Sequence, residues 1–324
     1  MNQKESLGNS NNLHQQSNKN SCPICMIQGC SNELNFEIKN IWSNPKKINH
    51  CKLCNLYFLE EKPDPEELKK YYQEKYYFKS SYLYLIKEKF RFARSISQYN
   101  FFKENIFSAV NNVLEIGSGD GLLLSLFKKD NAKVCGIEYS QKYTDYAKKK
   151  YNINLTNDDF FNLDGKYDLI IMSHVFEHFL DFKKIYTKAN QLLKNGGYFY
   201  IEIPNSPNPK EISTKELLTY LNSTHIHNFD KENFQKTIPI DFDLITIQRF
   251  DYDIRTFFSK HKSLIISRSL LDSNLSKGAV LDTIFNILKV MILPKTFYKK
   301  IEFHATWQGY GDNIRVILKK NDIS

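Results

Sequence analysis

The sequence predicts an α/β chain: a doubly wound, mostly parallel sheet preceded by a small cysteine-clasped module. Three observations carry this expectation. From Asn111 onward, short apolar runs at 112–116, 133–138, 153–156, 167–172 and 197–203 alternate with stretches of helical periodicity, a rhythm that builds a parallel sheet with helices on both faces. Val113-Leu-Glu-Ile-Gly-Ser-Gly-Asp-Gly121 joins an apolar run to a glycine turn, and Leu122-Leu-Leu-Ser-Leu-Phe127 begins a helix directly after it. Cys22-Pro-Ile-Cys25 and Cys51-Lys-Leu-Cys54 gather four of the six cysteines into two early pairs.

Bulk properties set the outer limits. A chain of 324 residues holds one large domain or two modest ones. Its 41% hydrophobic and 25% charged content is that of an ordinary soluble globular protein. The net charge of +9 is spread over many lysine pairs, which reads first as a solubility feature and second as a basic face for anionic substrates. Residues 1–20 are rich in Asn, Gln and Ser and lack the apolar core of a secretory signal, so they read as a disordered lead-in. No apolar stretch reaches the roughly 18 residues of a membrane span. The nearest, 279–293, is interrupted by Asp282, Asn286 and Lys289, and reads as a core-facing helix rather than a membrane-surface anchor over 279–300. The expected location is the cytoplasm.

Four cysteines in two C-x-x-C units, in a reducing compartment, point to metal rather than disulfides. Each unit places two thiolates on one side of a tight knuckle, and two knuckles complete a tetrahedral zinc site. Cys22, Cys25, Cys51 and Cys54 are the expected ligands of a structural zinc ion in a ribbon-like module over 21–62, with a hairpin filling the stretch between the pairs. Cys30 and His50 are alternative ligands, and Cys135 reads as core.

Pro63-Asp-Pro65 marks a boundary. A helical linker or lid follows over 63–108, with an aromatic segment (Tyr71, Tyr72, Tyr76, Tyr77, Phe78) that either packs the module onto the main domain or walls a ligand site. The main domain is expected over 109–324. Beyond Pro204 it holds a helix near 230–237, a strand near 242–248, a helical insertion at about 251–300 and a last strand at 313–318.

The chemistry-bearing residues fall at successive strand ends. Gly117, Gly119 and Gly121 let the backbone approach a ligand, and the following helix start offers free N–H groups. Glu138 ends the second strand, where an acidic side chain holds ribose hydroxyls. Asp158-Asp159-Phe160 follows the third, placing a carboxylate and an aromatic ring where an adenine would sit. In such folds ligands bind at the carboxyl ends of the strands, so all three sets face one crevice. Gly121 comes one residue too early for G-x-G-x-x-G, which turns the reading from dinucleotides toward another nucleoside cofactor.

Leu114-Glu-Ile-Gly-Ser-Gly-Asp-Gly121 resembles motif I of class I S-adenosylmethionine-dependent methyltransferases. Asp168-Leu-Ile-Ile-Met-Ser-His-Val-Phe-Glu-His178 resembles their fourth-strand motif, and Leu192-Leu-Lys-Asn-Gly-Gly-Tyr-Phe-Tyr-Ile201 their turn into the fifth strand. The resemblance implies that Glu115, with the backbone of Gly117, Ser118 and Gly119, holds the methionine part of S-adenosylmethionine. Glu138, with Tyr139 beside it, would take the ribose; Asp159 and Phe160 would flank the adenine; Ser173 and His174 would line the floor near the sulfonium.

The order of the whole chain, a four-cysteine unit, then Tyr76-Tyr-Phe-Lys-Ser-Ser81, then the core, resembles the sugar C-methyltransferases that act on nucleotide-linked keto sugars. By that resemblance Tyr76 and His225 sit at the acceptor. Thr224 stands where the family has Glu, and the ending Gly309-Tyr-Gly-Asp-Asn-Ile-Arg-Val316 looks like methyltransferases of surface-polysaccharide and natural-product pathways, so the expectation covers oxygen as well as carbon. The expected partner is a small sugar-containing acceptor. Two rival readings stay open: a methyltransferase for RNA or protein that uses the zinc ribbon as reader, with Lys46, Lys47 and Lys52 as its mild support, and a cofactor-binding module without turnover. Glu177 and His178 read as the start of the helix after the fourth strand, with a general base as the other reading, and His227 is paired with His225 as a candidate near the acceptor.

Overall fold

The computed structural model describes residues 21–38, 46–74, 81–206, 217, 221, 225–250 and 313–322. The lead-in 1–20, Tyr76 with its aromatic neighbours Tyr77 and Phe78, the insertion at about 251–300 and the 309–312 part of the chain's ending lie outside the described residues.

Between the two cysteine pairs runs a hairpin of β1 (Ser31–Ile38) and β2 (Lys46–Cys51), and β3 (Tyr57–Leu59) adds to it antiparallel. Leu56, Tyr57, Phe58 and Leu59 are all buried, so this short strand is covered on both faces. Helix α1 (Pro65–Glu74) starts as the proline boundary dictates: Pro65 opens the first turn, and the Asp64 carboxylate accepts from the Glu66 N–H at 3.0 Å. Helix α2 (Ser81–Asn105) leads into the main sheet.

The main sheet is read from alternation. β4 (Asn112–Ile116), α3 (Leu122–Lys129), β5 (Lys133–Ile137), α4 (Gln141–Tyr151), β6 (Tyr167–Ser173), α5 (Phe182–Leu192) and β7 (Leu193–Pro204) follow the strand–helix rhythm. β8 (His227–Asn228), α6 (Lys231–Gln235), β9 (Phe242–Phe250) and β10 (Asn313–Lys320) complete the described chain. Six strands pair in the order β5-β4-β6-β7-β10-β9; the first four are parallel, and β10 runs antiparallel to both neighbours. Because side chains alternate along a strand, Val113, Leu169, Ile171, Tyr198 and Tyr200 face Phe101 and Phe102 of α2 and Leu123, Leu124 and Phe127 of α3. Leu114, Ile116, Ile170, Met172, Phe199 and Ile201 face the opposite way, onto Phe182, Ile185, Tyr186 and Ala189 of α5. Both faces of the sheet are thus buried by helices, as a parallel sheet requires.

Three elements differ from the sequence reading. The run 153–156 makes a single bridge, Ile137 to Thr156, because the asparagines that punctuate it (Asn152, Asn154, Asn157) are poor strand formers. Phe176–His178 forms a 3₁₀ turn, and the helix starts only at Phe182, where the Asp181 carboxylate caps the N–H groups of Lys183 and Lys184. The N-terminal sheet is completed from far away in sequence: β8 pairs antiparallel with β3, and Leu59 N–H donates to Ile226 O at 3.0 Å. Asn55 adds a side-chain hydrogen bond to Asp230 at 2.8 Å. Asp230 itself caps α6 in a reciprocal box with Asn233. Among the described residues no helix is long and apolar enough to cross a membrane.

Candidate functional site

At the carboxyl end of β4 the chain turns through Gly117, Gly119 and Gly121, each with positive φ. A side chain on Gly117 would meet Val175, and one on Gly121 would meet Ala147, whereas at Gly119 nothing lies within 4 Å. The turn is therefore packed at both ends and open in the middle, where a ligand has room to approach. Glu138, at the end of β5, grips it: the Gly119 N–H donates to Oε2 at 2.9 Å and the Ser140 N–H to Oε1 at 2.8 Å. Burial raises the Glu138 pKa, against the pull of those backbone N–H groups.

Glu115, in β4 under the turn, is 5% exposed, and its Oε2 has no hydrogen-bond partner. Burial pushes its pKa well above the usual carboxylate range, with Asp120 and Glu138 adding to the effect and Arg94 opposing it. A buried carboxylate oxygen beside an open glycine turn fits a cationic ligand group. Asp120 is itself held by Arg91 Nε at 2.9 Å. Ser118 Oγ donates to the Glu115 carbonyl at 2.8 Å and so shapes the turn. Tyr139 follows Glu138 and is partly buried. Asp159 caps the next turn by accepting from the Phe161 N–H at 2.9 Å. Phe160 is buried in the core, which leaves Phe161, 37% exposed, as the ring presented outward at this turn.

Ser173 ends β6 and His174 follows it. Gln98 of α2 donates to Ser173 Oγ at 2.8 Å. His174 has φ 55, an uncommon conformation for a histidine, and its N–H donates to Glu202 O at 2.7 Å. Behind it lies an ion pair that sequence reasoning missed. Arg315 Nε reaches Glu202 Oε2 at 3.1 Å, Arg315 Nη2 donates to Ser97 Oγ at 3.0 Å, and the Tyr200 hydroxyl donates to Glu202. The guanidinium also stacks over Phe250 at 3.8 Å. Burial alone would raise the Glu202 pKa, but Arg315 and His174 outweigh it and hold the carboxyl well below its ordinary range. The signal was present in the sequence: Glu202 interrupts the apolar run 198–203 and Arg315 the run 314–318, and the antiparallel register sets the two opposite each other.

The turn after β6 brings four groups together. Glu177 is 1% exposed and its carboxylate has no hydrogen-bond partner. Its Oε1 lies 3.8 Å from His174 Nδ1, 3.7 Å from His178 Nε2 and 3.8 Å from His225 Nε2. Burial pushes the Glu177 pKa up to about 8, with the nearby Glu202 contributing. Burial, then His178 and His174, push the His225 pKa well down. His225 is fixed from behind by the bond from the Ile226 N–H to Glu177 O at 3.0 Å, and its Nδ1 faces Asn228 Oδ1 at 3.4 Å. His227, by contrast, is buried among Phe182 and Phe229 and plays a packing part. Tyr76, the other residue expected at the acceptor, lies outside the described residues.

At the N-terminal module Cys22, Cys25, Cys51 and Cys54 converge, with all four sulfurs within 4.8 Å of one another. The Cys22–Cys54 separation is 3.5 Å and Cys25–Cys51 3.8 Å. Four sulfurs around a zinc ion, each about 2.3 Å from it, stand roughly 3.8 Å apart, so the set fits a tetrahedral ion. The Cys54 thiol hydrogen-bonds Cys22 and lowers the Cys22 pKa to about 5, while the same contact raises that of Cys54. Of the alternative ligands, His50 is engaged elsewhere: its Nε2 meets Asn55 Oδ1 at 2.8 Å and its ring stacks on Tyr57. Cys30 lies 3.7 Å from Cys51 but outside the converging set of four.

Residues 85–238 match the family described as a methyltransferase domain. None of the curated proteins matches the chain in sequence. Among solved structures the chain is similar to the plantazolicin methyltransferase BpumL in complex with SAH, at 18% identity over 80% of this chain and 91% of that one, with TM-score 0.46. It is also similar to a SAM dependent methyltransferase from Archaeoglobus fulgidus, at 22% identity over 74% and 100% of the two chains, with TM-score 0.45. A putative methyltransferase from Bacillus halodurans gives 14% identity over 71% and 99%, with TM-score 0.44. Taken with the strand order and the glycine turn, the family match makes this the mixed α/β, Rossmann-like fold of methyltransferases, carrying a cysteine cluster compatible with a small zinc module.

Proposed function

We propose that the chain is a cytoplasmic S-adenosylmethionine-dependent methyltransferase that methylates a sugar-containing small molecule, a nucleotide sugar or a surface-polysaccharide precursor, on oxygen or carbon. The observation that carries methyl transfer is the open space at Gly119, with the unpartnered Glu115 Oε2 beneath it and Glu138 holding the turn, inside the region matched by the family. The sugar rests on the sequence resemblance, through Tyr76, His225 and the order of the modules.

The bound sulfonium supplies an activated methyl group. The chain's part is to bind and orient. Glu115 takes the charged methionine end together with the backbone of Gly117, Ser118 and Gly119. Glu138 and Tyr139 serve the ribose, and Asp159, with the outward Phe161 in place of the buried Phe160, the adenine side. Ser173 and His174 floor the site, and His225 with Tyr76 orients the acceptor. The Cys22, Cys25, Cys51 and Cys54 set holds a structural zinc ion whose closed shell leaves no position for chemistry.

The test is label transfer from S-adenosylmethionine across a panel of nucleotide sugars. Transfer to tRNA or protein but to no sugar overturns the acceptor assignment. His225→Ala should cut turnover at saturating acceptor at least ~10-fold, within the range of a positioned polar group; unchanged turnover removes His225 from its role. Glu115→Gln should weaken S-adenosylmethionine binding at least ~10-fold, since it removes a charge-assisted contact. In the ligand-free protein the same change should stabilise. The folded pKa of Glu115 lies above its unfolded value of 4.5, so wild type loses stability relative to the variant as pH rises beyond that value. Thermal melts between pH 4 and 8 check this. Cys54→Ser should lower bound zinc by about one ion per chain and lower the melting temperature, as read by metal analysis and calorimetry.

A further inference from the structure

We propose that Glu177, His178 and His225 form a binding site for a divalent metal ion of the zinc type, separate from the four-cysteine cluster. Three ligand atoms, Glu177 Oε1, His178 Nε2 and His225 Nε2, lie within 4.8 Å of one another. The separations from Glu177 Oε1, 3.7 Å to His178 and 3.8 Å to His225, are too long for hydrogen bonds. They are close to the edges of a coordination tetrahedron. With metal–ligand bonds of about 2.1 Å those edges are about 3.4 Å, so these two separations need to close by only a few tenths of an ångström.

An independent observation points to a ligand. Glu177 is 1% exposed, yet both carboxylate oxygens lack a hydrogen-bond partner, an arrangement that folding alone penalises. A dication among the ligands supplies the missing partner. The second side of the site is also prepared: Asn228 Oδ1 stands 3.4 Å from His225 Nδ1, which favours the tautomer with its proton on Nδ1 and its Nε2 lone pair turned toward Glu177. His174 Nδ1, 3.8 Å from the same Glu177 oxygen, stands by as a further nitrogen. Two histidines and a carboxylate are the ligand set of zinc sites that keep a coordination position open. The turn that bears Glu177 abuts the glycine turn through Val175 and Gly117, so the open position lies in the neighbourhood of the proposed methyl donor. Where the methyltransferase reading holds, on which this last clause rests, that position would take an oxygen of the acceptor.

The test is the metal content of the full-length protein after loading with zinc and gel filtration. Wild type is expected to hold about two zinc ions per chain, one at the cysteines and one here, and His178→Ala and Glu177→Gln about one each. Wild type holding a single ion, or His178→Ala retaining the wild-type content, overturns the site. S-adenosylmethionine binding reports that each variant is folded. Should both variants fail to fold, cobalt-loaded wild type decides: weak ligand-field bands of nitrogen–oxygen coordination beside the intense thiolate bands support the site, and thiolate bands alone overturn it. Methyl transfer is scored separately, so a missing second ion with intact transfer to a sugar sinks the metal site only, and two ions without transfer sink only the functional reading.

Discussion

Arg315→Met is expected to destabilise the folded chain by about 3–5 kcal/mol at neutral pH, the range for removing one partner of a buried ion pair. Glu202 is fully buried, and the Arg315 guanidinium lies against it at 3.1 Å. Methionine keeps an apolar stem and removes the charge, its donors and the stacking of the guanidinium over Phe250 and Phe101. The cost is thus electrostatic, and pH should reveal it. Glu202 has a folded pKa below its unfolded value of 4.5, so its stabilising contribution is full above that pH and fades as pH falls toward the folded value. The gap between wild type and Arg315→Met should be widest near neutrality and close on acidification below about pH 4.5. Adding Glu202→Gln to the variant should recover much of the loss. Urea midpoints at several pH values measure both effects; a gap independent of pH would mean that packing, not charge, had been removed.

Gly117→Ala is the second large effect, expected at roughly 2–5 kcal/mol from two sources that can be separated. Gly117 has φ +70, where an L side chain is strained, and a Cβ built there stands 2.5 Å from Val175 Cγ2. Strain contributes roughly 1–2 kcal/mol and the collision roughly 1–3 kcal/mol. Val175→Ala in the same chain removes the collision alone, so the double variant should regain part of the loss and retain the strain. Because the turn is also the proposed cofactor cradle, S-adenosylmethionine binding should weaken in both variants.

What could be read in advance followed from locality. The glycine turn, the strand–helix rhythm, the Pro65 helix start and the convergence of the cysteine pairs each depend on residues close together in sequence, where spacing carries the physics. What escaped depends on partners distant in the chain. Glu202 and Arg315 are 113 residues apart and meet only through the register of β7 with β10. The Glu177 cluster was visible only in part: Glu177 with His178 read as a helix start, and His225 as a separate acceptor-side residue, because nothing local says that the strand after Leu221 returns to the turn after β6. Phe160 and Phe161 show the same limit at one residue's resolution, since the sequence gives two adjacent rings and only packing decides which is turned inward.

The pairing of β3 with His227–Asn228 also dictates an order of events during synthesis. The N-terminal hairpin and its cysteines emerge first, but β3 lacks its outer neighbour until Asn228 has left the ribosome, with the strands β4 to β7 translated in between. Through that interval β3 is an exposed edge of buried-type residues, Tyr57, Phe58 and Leu59, the kind of edge that invites pairing with another chain. A contact of such long sequence separation also forms late, because loop closure must precede it. The nascent chain therefore carries an open edge that only a segment translated some 170 residues later can close.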